Sequence, residues 1–185
     1  MSFLGGGVQP ANTGRIGMFC ADAPIWRFLD AIGATQDPEA SRTAKTGLFI
    51  MESFPAMALA AYGFFGRRAA PRYNPARRAT FRPADWPRVA DAAAIEAASL
   101  GAPALAEWWR QAAQLERPRK ADQDRLDAAI CLLIALRWRM RPRADSVLLG
   151  DLETGYVVAP IIPPARDRLA VAARRLGVKL DGGTD

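Results

Sequence analysis

The stretch ADQDRLDAAICLLIALRW, residues 121–138, constrains this chain more than any other. From Ala128 to Leu136 every residue is apolar, which predicts a helix running to about Arg139 and buried nearly all round. Asp122, Asp124 and Asp127 stand at its mouth. Two readings compete for them. Helices favour acids in the first turn, so Asp122 or Asp124 can serve as the N-cap and Asp127 as a partner of the helix dipole. Clustered carboxylates also bind hard divalent cations. Asp124 and Asp127 share one helical face, and the apolar neighbours of Asp127 place it where a carboxylate needs a partner or a metal.

A second acid meets the same test. GLFIMESFP puts Glu52 directly after the apolar run Leu48 to Met51, which predicts a short strand buried on both faces. Pro55 then opens a helix to about Tyr62. Acids beyond the carboxyl end of a strand are common at α/β sites. A strand-end acid and two same-face helix acids meet only if the helix crosses that strand end. Their carboxyls are then expected within roughly 4–8 Å, close enough to share paired Mg2+ or Mn2+ for phosphodiester cleavage.

The remaining pattern fills out an α/β chain. DAPIWRFLDAI, residues 22–32, predicts a helix with Asp22 as N-cap, Gly33 at its end, and Ile25, Phe28, Leu29 and Ile32 on the packed face. Residues 34–46 read as polar connection. Two Ala-rich helices are expected over 84–98 and 103–115, separated by Gly101 and Pro103, the second carrying Leu105, Trp108, Trp109, Ala112 and Leu115 along one face. SVLLGDLETGYVVAPI predicts a hairpin, and 165–177 a final amphipathic helix. The 185 residues suit one domain with a real core, and no apolar run reaches membrane-helix length.

Charge and composition narrow the chemistry. There is no histidine among the 185 residues, which excludes Ser-His-Asp and Cys-His nucleophilic sites. With only two cysteines, Cys20 and Cys131, zinc ligation is excluded as well. These two are expected to be buried free thiols in a reducing cytoplasm, and no secretory signal is visible. No phosphate-binding glycine loop or dinucleotide fingerprint is present.

The chain carries 25 basic residues against 19 acids, a net charge of +6. Between Gly66 and Arg88, Arg67, Arg68, Arg72, Arg77, Arg78, Arg82 and Arg88 face a single acid, Asp85. Such a concentration favours a polyanionic partner. Arginines interleaved with Tyr73, Phe81 and Trp86 suit phosphate pairing and base stacking, with Arg67, Arg68, Arg77, Arg78 and Lys120 as candidate contacts. The alternative is a solvated loop whose aromatics anchor it to the core. Trp108 and Trp109 are expected in the core or an interface.

QPANTGRIG, MESFPAMAL, YNPARR, KADQDRLDAAICLLIALRW and LLGDLETGYVVAP are similar, in order and spacing, to the domain of unknown function 429 family, described as predicted RNase H-like nucleases. The Asp-x-x-Asp-Ala helix also resembles the final acidic motif of RuvC-type resolvases. The resemblance covers most of residues 8–164. It implies an RNase H-like α/β domain with a small mixed sheet, in which Glu52, Asp124 and Asp127 are the catalytic and metal-binding acids, Mg2+ or Mn2+ the cofactor and nucleic acid the partner. Such folds begin on a strand bearing an Asp. No such strand is read before Leu48, so the chain resembles the family minus its first strand. The alternative function is a nucleic-acid- or protein-binding module without the chemistry.

Overall fold

The computed structural model describes residues 20, 22–61, 70–153 and 155–182. Among them the chain is mixed α/β. The elements run α1 (Pro24–Ala31), β1 (Ala34–Thr35), α2 (Pro38–Thr43), β2 (Leu48–Phe49), α3 (Pro55–Ala61), α4 (Asp85–Ser99), α5 (Pro103–Ala113), α6 (Lys120–Met140), β3 (Ser146–Asp151), β4 (Gly155–Pro160) and α7 (Pro163–Leu176). Proline starts α1, α2, α3, α5 and α7, where its missing N–H would be unsatisfied in any case and its fixed φ suits the first turn. No helix of the described residues is long and apolar enough to cross a membrane.

The strands form two short ladders joined by one extended segment. β1 and β2 pair in parallel, Ala34 with Leu48 and Thr35 with Phe49. β3 and β4 form the expected antiparallel hairpin, from Ser146 opposite Pro160 to Asp151 opposite Gly155. Residues 50–53 continue from β2 to reach β4: the Val158 N–H donates to the Glu52 carbonyl at 2.8 Å, and Ser53 bridges Val158 in parallel. On the outer side of β3, the Gly150 N–H donates to the Lys179 carbonyl at 2.9 Å.

Helix α6 organises the core. It buries Leu126, Ile130, Leu133, Ile134 and Trp138, one stripe at helical spacing. Against that stripe pack Trp86, Val89, Ala90, Ala93 and Ala97 of α4, Trp109 of α5, and Val158 of β4. A second cluster gathers Met57, Val147, Ala159, Ile161 and Leu169 between α3, the hairpin and α7. Burying each large aliphatic side chain contributes about 1.5–3 kcal/mol in transfer terms.

Trp138 closes the far end. Its indole Nε1 donates to the Pro38 carbonyl at 2.6 Å, and the guanidinium groups of Arg42 and Arg143 lie over its ring at 5.1 and 4.4 Å from the centroid. Arg139 caps α2 from outside, donating to the carbonyls of Ser41 and Ala44 at 2.5 and 2.7 Å.

Several expectations are corrected. The run Ala128 to Leu136 is not buried all round, for Ala128 and Ala135 are exposed and Leu132 is 51% exposed. Alanine is favoured in helices whether or not it is buried, so an alanine-rich outer face imitates burial. β2 is likewise not buried on both faces, since Leu48 is half exposed. The packed face expected of α1 is open among the described residues, with Ile25, Phe28 and Ile32 all exposed. Ala23, not Asp22, is its N-cap. Residues 34–46 are not mere connection. They hold β1 and α2, and α2 begins where the Asp37 carboxylate accepts from the Ala40 N–H at 2.9 Å. Neither Cys20 nor Cys131 forms a disulfide, and both are half-buried rather than buried.

Candidate functional site

The three aspartates of α6 take three different roles. Asp122 is not the N-cap; Arg119 is. The Asp122 carboxylate reaches back to accept from the Arg119 N–H at 2.8 Å, a capping-box arrangement that satisfies an orphan donor of the first turn. That hydrogen bond, aided by the charges of Arg119 and Arg125, holds its pKa below the ordinary aspartate value. Asp124 is exposed and ion-paired with Lys120 one turn earlier, the i,i+4 spacing at which helix side chains meet.

Asp127 is partly buried and meets a group from outside the helix. One oxygen accepts from the Tyr73 hydroxyl at 2.6 Å and the other from the Gln123 side-chain amide. Desolvation raises its pKa above the usual value; the hydrogen bond from Tyr73 and the charge of Lys120 oppose the rise without cancelling it, while Asp124 adds to it. Tyr73 in turn is pushed well up by burial and by the Asp127 charge, so it remains the donor. Cys131, one turn beyond Asp127, has its thiol raised by burial and is hydrogen-bonded to the Ser53 side chain.

That contact decides where Glu52 goes. Successive side chains of an extended segment point to opposite faces, so a Ser53 turned toward α6 sends Glu52 away from it. Glu52 is exposed; partial desolvation nevertheless raises its carboxyl pKa, and the exposure limits what that rise means for stability. Among the described residues no group of three or more Cys, Asp or Glu side chains is arranged to hold a metal ion. The expected meeting of Glu52, Asp124 and Asp127 is therefore not present there. The structure brings Asp127 together with Asp124, Lys120, Gln123 and Tyr73, and leaves Glu52 outside.

The basic stretch is described from residue 70 onward, so Arg67 and Arg68 lie outside the described residues. The loop that follows is tied at its base. The Arg82 N–H donates to the Arg72 carbonyl at 2.8 Å, and the Arg72 N–H donates to the Asp85 carboxylate at 2.8 Å. Within it the Ala76 N–H donates to the Asn74 side chain at 2.9 Å, a turn that asparagine makes with its own backbone. Asp85, the only acid of the stretch, is 7% exposed and also pairs with Arg88 at 3.3 Å.

Arg72, Arg77, Arg78 and Arg82 are exposed, and their guanidinium groups make no hydrogen bond or ion pair among the described residues. Lys120 is not one of this set, because its ammonium is held by Asp124 and by Gln123 Oε1 at 2.7 Å. Of the three aromatics, Tyr73 and Trp86 do not stack outward, being buried at 6% and 1% exposure, which is the anchoring role, and Phe81 is half-buried. Trp109 is core, whereas Trp108 is 37% exposed.

The residues sequence reasoning missed are Tyr73 as a partner of Asp127, and Gln123. The second was readable, since Gln123 and Asp127 stand at i,i+4; the first is a long-range contact without a local signal. No protein-family model, no curated protein and no solved structure matches the chain.

Proposed function

We propose that this chain is a nucleic-acid-binding domain whose arginine loop, residues 72–88, holds the phosphate backbone. One observation carries the reading: four guanidinium groups face outward without partners among the described residues, while the one acid of the stretch is buried and committed to closing the loop. Uncompensated cations on a tied loop fit a polyanion at little ordering cost. The order of extended segment, Asp-led helix and hairpin supports assigning the fold to the RNase H-like class of the domain of unknown function 429 family.

The test is a binding isotherm over a salt series. Replacing Arg77, Arg78 and Arg82 together by Gln should weaken binding to any nucleic acid and flatten the slope of log K against log salt by roughly 0.7–0.9 for each phosphate no longer neutralised. An unchanged slope would remove this loop as the binding surface.

A second reading is metal-dependent phosphodiester hydrolysis by Glu52, Asp124 and Asp127 with Mg2+ or Mn2+. What favours it is the raised carboxyl pKa of both Glu52 and Asp127, a common property of functional acids. As arranged, these residues do not fit such ions. Both Asp127 oxygens are occupied by donors, Asp124 is paired with Lys120, and Glu52 faces elsewhere. Binding without cleavage in millimolar Mn2+ is the outcome expected of the first reading; cleavage abolished by Asp127→Asn would restore the second.

A further inference from the structure

Where α4, α5 and α6 meet, a pocket of about 200 Å3 opens to solvent, lined among others by Trp86, Trp108, Leu115, Leu126, Asp122 and Arg125. Its floor is fixed: Trp86 and Leu126 are 1% and 0% exposed, and the Trp86 indole Nε1 is anchored on the Ala112 carbonyl at 2.8 Å. Its wall is open and apolar, with Trp108 and Leu115 at 37% and 42% exposure. At that volume it is smaller than the roughly 300–1,000 Å3 of pockets that enclose drug-sized ligands, and it suits one flat ring system with the rest of the ligand outside.

The charge around the mouth says what that ligand carries. Asp122 is the acid of the lining, and its carboxylate is occupied by the Arg119 N–H at 2.8 Å and by the guanidinium groups of Arg119 and Arg125 at 3.6 and 3.8 Å. Two guanidinium groups against one carboxylate leave the rim positive, and the side chains of Arg119 and Arg125 are 83% and 74% exposed. Trp86 also links the pocket to the arginine loop, standing between the exposed Arg82 and Arg88 in sequence.

We propose that this pocket takes one unpaired base of a single strand, stacked on Trp108 above the Trp86–Leu126 floor with its neighbouring phosphates on Arg125 and the arginine loop. This rests on the nucleic-acid reading and sharpens it to single-stranded substrate. A paired base is withheld inside the duplex stack, and extruding it carries an unstacking cost, so duplex can use only the arginines.

Fluorescence anisotropy with a labelled oligothymidylate and a duplex of equal length tests the assignment, on wild type, Trp108→Ala, Trp108→Phe and the Arg77, Arg78, Arg82→Gln triple variant. Trp108→Ala should weaken single-strand binding roughly 5- to 150-fold, the range expected when one base–aromatic stack is removed, and duplex binding by less than about twofold. Trp108→Phe should recover most of that affinity, and a thermal melt should show all variants folded. If Trp108→Ala leaves single-strand affinity unchanged while the triple variant weakens it, the pocket assignment falls and the arginine reading stands. Equal weakening on single strand and duplex also overturns base insertion. If wild type binds neither probe, the arginine reading falls, and the pocket assignment with it.

Discussion

Replacing Tyr73 by Phe removes one oxygen and tests the buried polar link on which the arginine loop hangs. The Tyr73 hydroxyl donates to Asp127 at 2.6 Å, in a place where burial already raises the aspartate pKa. Hydrogen bonds to charged groups contribute about 1.5–3 kcal/mol, and Gln123 keeps the second oxygen satisfied, so the expected destabilisation at neutral pH is about 2 kcal/mol, or roughly 4–8 °C in Tm for a chain of this size. The sign with pH follows from the shift. A carboxyl raised in the folded state binds its proton more tightly there than in the unfolded chain, so it lowers stability as pH rises through the window above the ordinary aspartate value. Removing the donor raises the folded pKa further and steepens that fall. Below the window Asp127 is protonated in both proteins, the bond is between neutral groups, and the gap should shrink to about 0.5–1.5 kcal/mol. Thermal melts from pH 7 down to pH 3 measure it. An equal drop in Tm at both ends would mean that the ring's packing, and not the hydrogen bond to a carboxylate, was perturbed.

Two further outcomes test other joints of the fold. Gly150 has φ +92°, and a Cβ there would stand 2.2 Å from the Gly155 carbonyl oxygen, so Gly150→Ala should destabilise the hairpin by at least about 1–3 kcal/mol, read as a lower denaturant midpoint at unchanged slope; an unmoved midpoint would refute the register. Asp181 accepts from the Leu148 N–H at 2.9 Å and from Arg143 and Arg166 at 2.8 and 2.5 Å; burial raises its carboxyl pKa, but these donors outweigh it and the net shift is downward. A depressed pKa contributes stability above the unfolded aspartate value that is lost as pH falls through the folded one, so Asp181→Asn should cost about 1–2 kcal/mol at pH 7 and progressively less as pH falls below the ordinary aspartate value, and a cost independent of pH would sink the assignment.

The elements that were readable are those whose local signals agree. α4, α5, α6, α7 and the hairpin announce themselves by periodicity, prolines and glycines, and all five lie within a few residues of where the sequence puts them. What was misread depended on long-range geometry. α1 has a clean apolar stripe, yet Phe28 is 58% exposed, since periodicity tells which residues share a face and not whether that face is covered. α2 was legible and passed over: Asp37-Pro38-Glu39 is a cap, a first-turn proline and a first-turn acid. Glu52 failed on parity. The sequence places it at the end of an extended run, but only the Ser53 contact with Cys131 shows which of the two alternating faces it joins, and a shift of one residue reverses the answer.

The carboxylates at the mouth of α6 are separated by the helix itself. At 3.6 residues per turn, Gln123 and Asp127 fall on one stripe with Ile130 and Ile134, while Asp124 stands at its exposed edge, paired with Lys120, and Asp122 is spent on the first turn. Asp127 turns toward packed protein, and the group it meets there, Tyr73, belongs to the arginine loop. Two ties, Asp127 on Tyr73 and Asp85 on the Arg72 N–H, fix the loop from beneath while its guanidinium groups face out. Both acids are committed to holding that loop in place. That division explains why a helix so apolar carries carboxylates at its start: one completes the helix, one pairs on its surface, and one anchors the arginine loop.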